Sequence, residues 1–140
     1  MSVAAVLAPL FVQVALTFAL LSLTGLRRVR SIERGETRAE VIALGERNWP
    51  ASVQKVANSF HNQFELPVLF YVLTALALFT RKADLLFVLM AWLFVISRIA
   101  HAGIHITTND IQHRFFAFAA GFGLLLLMWL IFALRILFGS

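Results

Sequence analysis

The sequence predicts an all-α integral membrane protein, an antiparallel bundle of four helices. Three observations carry this. The chain is 61% hydrophobic and only 14% charged over 140 residues, with a mean hydropathy of +0.86, far from soluble-domain composition. Its apolar residues gather in four runs, each near the roughly 20 residues a helix needs to cross a bilayer. The short connection from Thr80 to Asp84 makes the second and third runs antiparallel neighbours.

The first run, Val3 to Leu26, is almost unbroken apolar sequence. It has no basic leader, is too long for a signal-peptide core and lacks a small-residue cleavage site, so it is read as a retained span. The segment that follows, residues 27–55, holds Arg27, Arg28, Arg30, Arg34, Arg38, Arg47 and Lys55. By the positive-inside rule this loop is cytoplasmic, and four spans then put both termini outside the cytoplasm. Within it, Thr37 to Leu44, lying between Gly35 and Gly45, reads as a short interfacial helix, with Trp49-Pro50 at headgroup level. The remaining spans are Asn58 to Phe79, Leu85 to Ile106 and Phe115 to Phe138. No repeat or second domain is apparent, and residues 1–140 read as one membrane domain.

The net charge of +5 and isoelectric point near 11.1 reflect this topology and contact with anionic lipid. No surface interleaves aromatic and basic residues as nucleic-acid binding would require, so nucleic acid is excluded as a partner. With no cysteine in the chain, a disulfide, a protein thiol nucleophile and a thiolate metal site are all ruled out. Any thiol chemistry must arrive with a ligand.

Ionisable residues at hydrocarbon depth are costly and mark sites. In the second span Asn58, His61, Asn62 and Glu65 are spaced i, i+3, i+4 and i+7, which lines them on one helical face. At ~1.5 Å per residue Glu65 lies ~10 Å below the cytoplasmic boundary. Pro67 follows two residues later and predicts a kink that frees the carbonyl of Gln63. In the third span Arg98, His101 and His105 fall at i, i+3 and i+7, with Asn109 continuing the line. Arg98 comes out roughly 12–16 Å deep by the same rise, so the two stripes share a leaflet. The simplest arrangement pairs Glu65 with Arg98, while His101 and the asparagines complete a network.

Two readings of that network stand. In one, Glu65 and Arg98 neutralise each other and the histidines join helices as polar residues do in membrane bundles. In the other, the stripes together with Arg114 set one carboxylate against two fixed cations and three imidazoles, which suits an anion. A metal is disfavoured: His101 and His105, and His61 and Glu65, are i, i+4 pairs, but the fixed charge of Arg98 beside them lowers cation affinity. A proton path through Glu65 and the histidines is a further possibility that nothing requires. His113 and Asp110 read as solvated loop residues. In the fourth span Ala117 and Gly121 form a small-x-x-x-small pair, which implies tight packing or oligomerisation. Its phenylalanines read as lipid-facing or core bulk, and Trp92 and Trp129 as fillers of bundle or subunit interfaces.

The ordered set of these motifs resembles the MAPEG family, the membrane-associated proteins in eicosanoid and glutathione metabolism. The resemblance rests on four spans with a basic first loop, on Asn62-x-x-Glu65 followed by Pro67, and on Arg98-x-x-His101 with Arg114 sixteen residues after Arg98. It implies a trimeric four-helix bundle binding glutathione between subunits on the cytoplasmic side. Asn62, Glu65, Arg98 and His101, with the neighbouring His61 and His105, would hold glutathione, and Arg114 would lie near its thiol. A fixed cation there lowers the thiol pKa and raises the thiolate fraction. The implied activity is glutathione transfer to, or peroxidase action on, a lipophilic electrophile reaching the site from the bilayer.

The chain departs from the well-studied enzymes at His61, where they have arginine, and at His105, where they have tyrosine. Phe115 and Phe118 occupy the stretch that carries a further tyrosine. The alternative is a non-enzymatic protein of the same fold that binds a lipid, a small anion or a partner.

Overall fold

In a computed structural model, residues 1–38, 40, 43 and 49–139 are described, and all regular structure among them is helical. The expected interfacial helix at Thr37 to Leu44 falls in part outside these residues, as does Arg47.

Helix α1 spans Val3–Glu33. It begins at Ser2, whose hydroxyl accepts from the Ala5 amide at 3.1 Å, satisfying one of the donors a helix start leaves free. Its 31 residues extend about 46 Å, well past the apolar run that ends at Leu26. Gly35 stops it. With φ at +73°, a conformation glycine adopts without a Cβ clash, it lets the Glu36 amide return to the Ser31 carbonyl at 3.0 Å, a Schellman-type closure.

The second hydrophobic unit is two helices, α2 (Ala51–Asn62) and α3 (Leu66–Phe79). Pro67 was expected to kink a continuous helix; instead the helix is interrupted. The amides of Gln63, Phe64 and Glu65 donate to the carbonyls three residues back, at 3.0, 3.0 and 3.2 Å. Glu65 itself leaves the helical basin, at φ −98° and ψ −104°. The physical reason is that proline has no amide hydrogen and suits the first turn of a helix, so α3 starts around it.

Helix α4 (Leu85–Ile106) is capped by the Asp84 carboxylate, which accepts from the Phe87 amide at 3.0 Å. Helix α5 (Ile111–Phe138) starts at Asp110, which accepts from the Gln112 amide at 3.0 Å. Asp110, read from sequence as a solvated loop residue, is thus a helix cap. It starts α5 ahead of the apolar run at Phe115.

Among the described residues four helical units, Val3–Glu33, Ala51–Phe79, Leu85–Ile106 and Ile111–Phe138, are long and apolar enough to cross a membrane. Half of the apolar window of α4 is buried against 17% of that of α5, which makes α4 the central helix. It packs on α5, α1 and α2. The core lies along it: Phe94 stacks on Phe70 with ring centroids 4.8 Å apart, and Ala91, Val95, Leu73, Leu125 and Met128 close around them. Large apolar side chains such as Phe11, Phe18, Leu93, Ile96, Leu127 and Leu130 face outward, as expected where the solvent is lipid.

Gly121 allows α5 to approach α4 closely. A Cβ there would sit 2.9 Å from Ser97 Oγ and 3.7 and 3.8 Å from Phe94 and Arg98, so the small residue admits α4 against α5. Gly123 by contrast faces open space. Trp92 and Trp129 are half-buried against the core.

Candidate functional site

The break between α2 and α3 opens the bundle. A cavity of about 520 Å³ lies where α2, the last turns of α4 and the start of α5 converge. From α2 and the break it receives Asn58, His61, Asn62 and Glu65; from α4, His101 and His105; from α5, Arg114 with Ile111, Phe115 and Phe118. The i, i+3, i+4 spacing within α2 puts Asn58, His61 and Asn62 on one face and the i, i+4 spacing does the same for His101 and His105, while Glu65 reaches the cavity from the break that follows α2.

Of the residues singled out from sequence, His61, Asn62, Glu65, His101, His105 and Arg114 therefore line one cavity. Arg98 does not. It is fully buried behind the cavity wall and donates from Nη2 to the side-chain oxygen of Asn62. Its Nε and Nη1 have no hydrogen-bond partner among the described residues.

The expected Glu65–Arg98 ion pair is not formed: the ion pairs among the described residues are His113–Asp110 and Arg135–Asp84. The cause is the helix break. Glu65 stands where the backbone has left the helix, and its carboxylate turns outward into the cavity, whereas Asn62, in the last turn of α2, still faces α4.

The two imidazoles sit deep in the wall, with His101 and His105 both buried. Their rings meet edge to face at 5.6 Å, and neither Nδ1 has a partner among the described residues. His101 also contacts the Phe118 ring at 5.9 Å. At the mouth, Arg114 Nη1 donates to Asn109 Oδ1 at 2.8 Å. Beside it, Asp110 accepts from His113 Nδ1 at 3.0 Å. That bond, with the Gln112 amide, holds the Asp110 carboxyl below its ordinary value. Among the described residues no three His, Cys, Asp or Glu side chains gather as metal ligands. The arrangement can hold an anionic ligand with amide groups of its own: Arg114 supplies charge, Asn58 and Asn62 supply amides, and Glu65 accepts from donors.

One polar pair behind the site was missed by sequence reasoning. Gln13 Nε2 donates to Gln63 Oε1 at 2.8 Å, and Gln63 Nε2 donates to the Ser59 carbonyl at 2.9 Å, all buried. This anchors α1 to the break. The signal was present, since Gln13 is a lone amide in the first apolar run. Tyr71, the single tyrosine of the chain, does not line the cavity.

The sequence model of the MAPEG family matches residues 6–134, nearly the whole chain. The chain belongs to the MAPEG family. Comparisons with curated proteins and with solved structures gave no significant match. Membership and four candidate spans fit an integral multi-pass membrane protein of the family associated with glutathione and eicosanoid metabolism. As a MAPEG chain it brings the second-span stripe together with His101, His105 and Arg114 at one cavity, with phenylalanines on the α5 wall.

Proposed function

We propose that the protein is a glutathione-dependent transferase or peroxidase acting on a lipophilic electrophile in the membrane. The observation that carries this reading is the single cavity joining Arg114, Glu65, Asn62 and two buried imidazoles. Its volume of about 520 Å³ falls within the roughly 300–1,000 Å³ of small-ligand sites. Glutathione is an anion with amide donors and acceptors, and the cavity offers a complement to each.

In this reading Asn62 and Glu65 hold the polar groups of the peptide. Arg98 acts from behind by fixing Asn62, and His61, His101 and His105 complete the binding wall. Arg114 faces the thiol. Its fixed positive charge favours the thiolate, the form that attacks an electrophile or reduces a hydroperoxide. The apolar flank of Phe115 and Phe118 admits the lipophilic partner.

The proposal extends to architecture. The helices run antiparallel in one membrane domain, three copies assemble, and the cavity end of the bundle, with its arginine-rich loop, faces the cytoplasm while both termini lie outside it.

A second reading draws on one observation: the α5 wall of the cavity presents Phe115 and Phe118 and no hydroxyl. In that case the protein binds an anion or lipid without turning it over. Calorimetric titration of the detergent-solubilised protein with glutathione, followed by conjugation and hydroperoxide assays, separates the two. Binding with turnover supports the enzyme, binding without turnover supports the second reading, and no binding removes the first.

A further inference from the structure

We propose that Asn109 is the positioning residue of this site, holding the Arg114 guanidinium at the cavity mouth through a neutral amide that leaves its charge uncompensated. The inference rests on the reading of Arg114 as the cation that faces the ligand.

The Asn109 side chain is set by its backbone. Its φ of +52° is in the left-handed region, where asparagine is among the few side chains accommodated readily. Its amide donates to the Ile104 carbonyl at 2.7 Å, which closes the end of α4. Lys55 Nζ reaches the neighbouring Thr107 carbonyl at 3.4 Å, tying the same connection to α2. From this fixed position Oδ1 accepts from Arg114 Nη1 at 2.8 Å.

The adjacent carboxylate is turned away from Arg114. Asp110 accepts from the Gln112 amide and from His113 Nδ1, both at 3.0 Å, and Arg114 enters no ion pair among the described residues. A guanidinium carries five N–H donors, of which the Asn109 contact uses one. The remaining donors and the whole charge are left for the cavity. The titratable groups facing Arg114 there are Glu65 and His61 from the α2 side and His101 and His105 from α4; on its own helix Asp110 and His113 engage each other.

A residue that merely ends α4 would need only the left-handed backbone, which glycine supplies equally well. Asn109→Gly therefore keeps the turn and removes the anchor, whereas Asn109→Asp keeps the acceptor and adds a neutralising charge. Two readouts are used on the intact protein in detergent: the rate of arginine-selective dicarbonyl labelling at Arg114, and the pH midpoint of thiolate formation by bound glutathione. Asn109→Gly should label Arg114 faster and weaken glutathione binding. Asn109→Asp should label it more slowly and move the thiolate midpoint upward, lowering the thiolate fraction about tenfold at a pH below the midpoint.

Wild-type labelling in Asn109→Gly, or an unmoved midpoint in Asn109→Asp, overturns the proposal. If the wild-type protein binds no glutathione, labelling alone decides. Rates changed in the stated directions then keep the positioning role while the glutathione reading falls, and unchanged rates remove both.

Discussion

Arg98 donates its guanidinium to the side-chain oxygen of Asn62, and the carboxylate of Glu65, three residues farther along the chain, is left to the cavity. The buried cation is thus held by a neutral amide, and the acid stays available to a ligand. Asn62→Ala removes the one side-chain partner of a fully buried guanidinium whose Nε and Nη1 are already unpaired. The expected cost is about 1.5–3 kcal/mol, the range for hydrogen bonds to charged groups. Glu65→Gln, which breaks no ion pair, should cost less than Asn62→Ala. Thermal unfolding of both variants in one detergent checks the order; a larger loss in Glu65→Gln would mean the ion pair forms after all.

In the proposed reaction, thiolate formation rests on Arg114. Replacing it with alanine removes the fixed cation at the mouth, and the loss of a nearby opposite charge raises an acid's pKa by roughly one unit or more. Turnover at neutral pH should fall about tenfold or more, with partial recovery as pH rises. Arg114→Lys keeps the charge and should retain more activity. Rate-against-pH profiles of the three proteins test this.

The Gln13–Gln63 bond ties α1 to the helix break. Interhelical bonds of this kind in membranes average about 0.6 kcal/mol and reach about 1.7. A double-mutant cycle with Gln13→Leu and Gln63→Leu should return a coupling in that range, the double variant being more stable than the two single losses imply. Strict additivity would show that the bond contributes nothing.

Gly121→Ala places a methyl 2.9 Å from Ser97 Oγ, and that hydroxyl is itself bonded to the Phe94 carbonyl at 2.6 Å. The substitution should destabilise by about 1–3 kcal/mol, and Ser97→Ala in the same chain should recover most of it, because the remaining contacts are ordinary. Gly123→Ala, in open space, should be neutral or slightly stabilising. Unfolding midpoints of the four proteins decide the matter, and equal effects at both glycines would contradict the packing described.

At the opposite end of the bundle Arg135 pairs with Asp84 at 2.8 Å. Burial pushes the Asp84 carboxyl up, but the Phe87 amide and the Arg135 charge outweigh it and leave it below its ordinary value of 3.8. A depressed folded-state value means the stabilisation is fully present above the unfolded value and is lost as pH falls through the folded one. The stability difference between wild type and Asp84→Asn should therefore be constant near neutrality and shrink below about pH 3.8. A pH series of unfolding midpoints measures it.

Much of the site was legible because helical periodicity is a local property. Spacing of four residues puts His101 with His105 on one face of an unbroken helix, and the apolar runs declare their own solvent. Resemblance of the ordered motifs then named the family that the match over residues 6–134 shows. Polar pairing was not legible, since it depends on where each backbone points once the helices have docked. Charge complementarity made Glu65 the expected partner of Arg98, but a break of three residues turned it away and left that role to Asn62 of the same stripe.

The sequence alone determined which segments are apolar enough to span a membrane, which polar residues share a helical face and which family the chain joins, because composition, spacing and motif order are all written along the chain. Only the tertiary structure decided that Pro67 divides the second span, that Arg98 lies behind the cavity rather than in it, and that Asn109 meets Arg114. Those outcomes depend on helix docking and on the few residues where the backbone leaves the helix, where spacing no longer says which way a side chain turns.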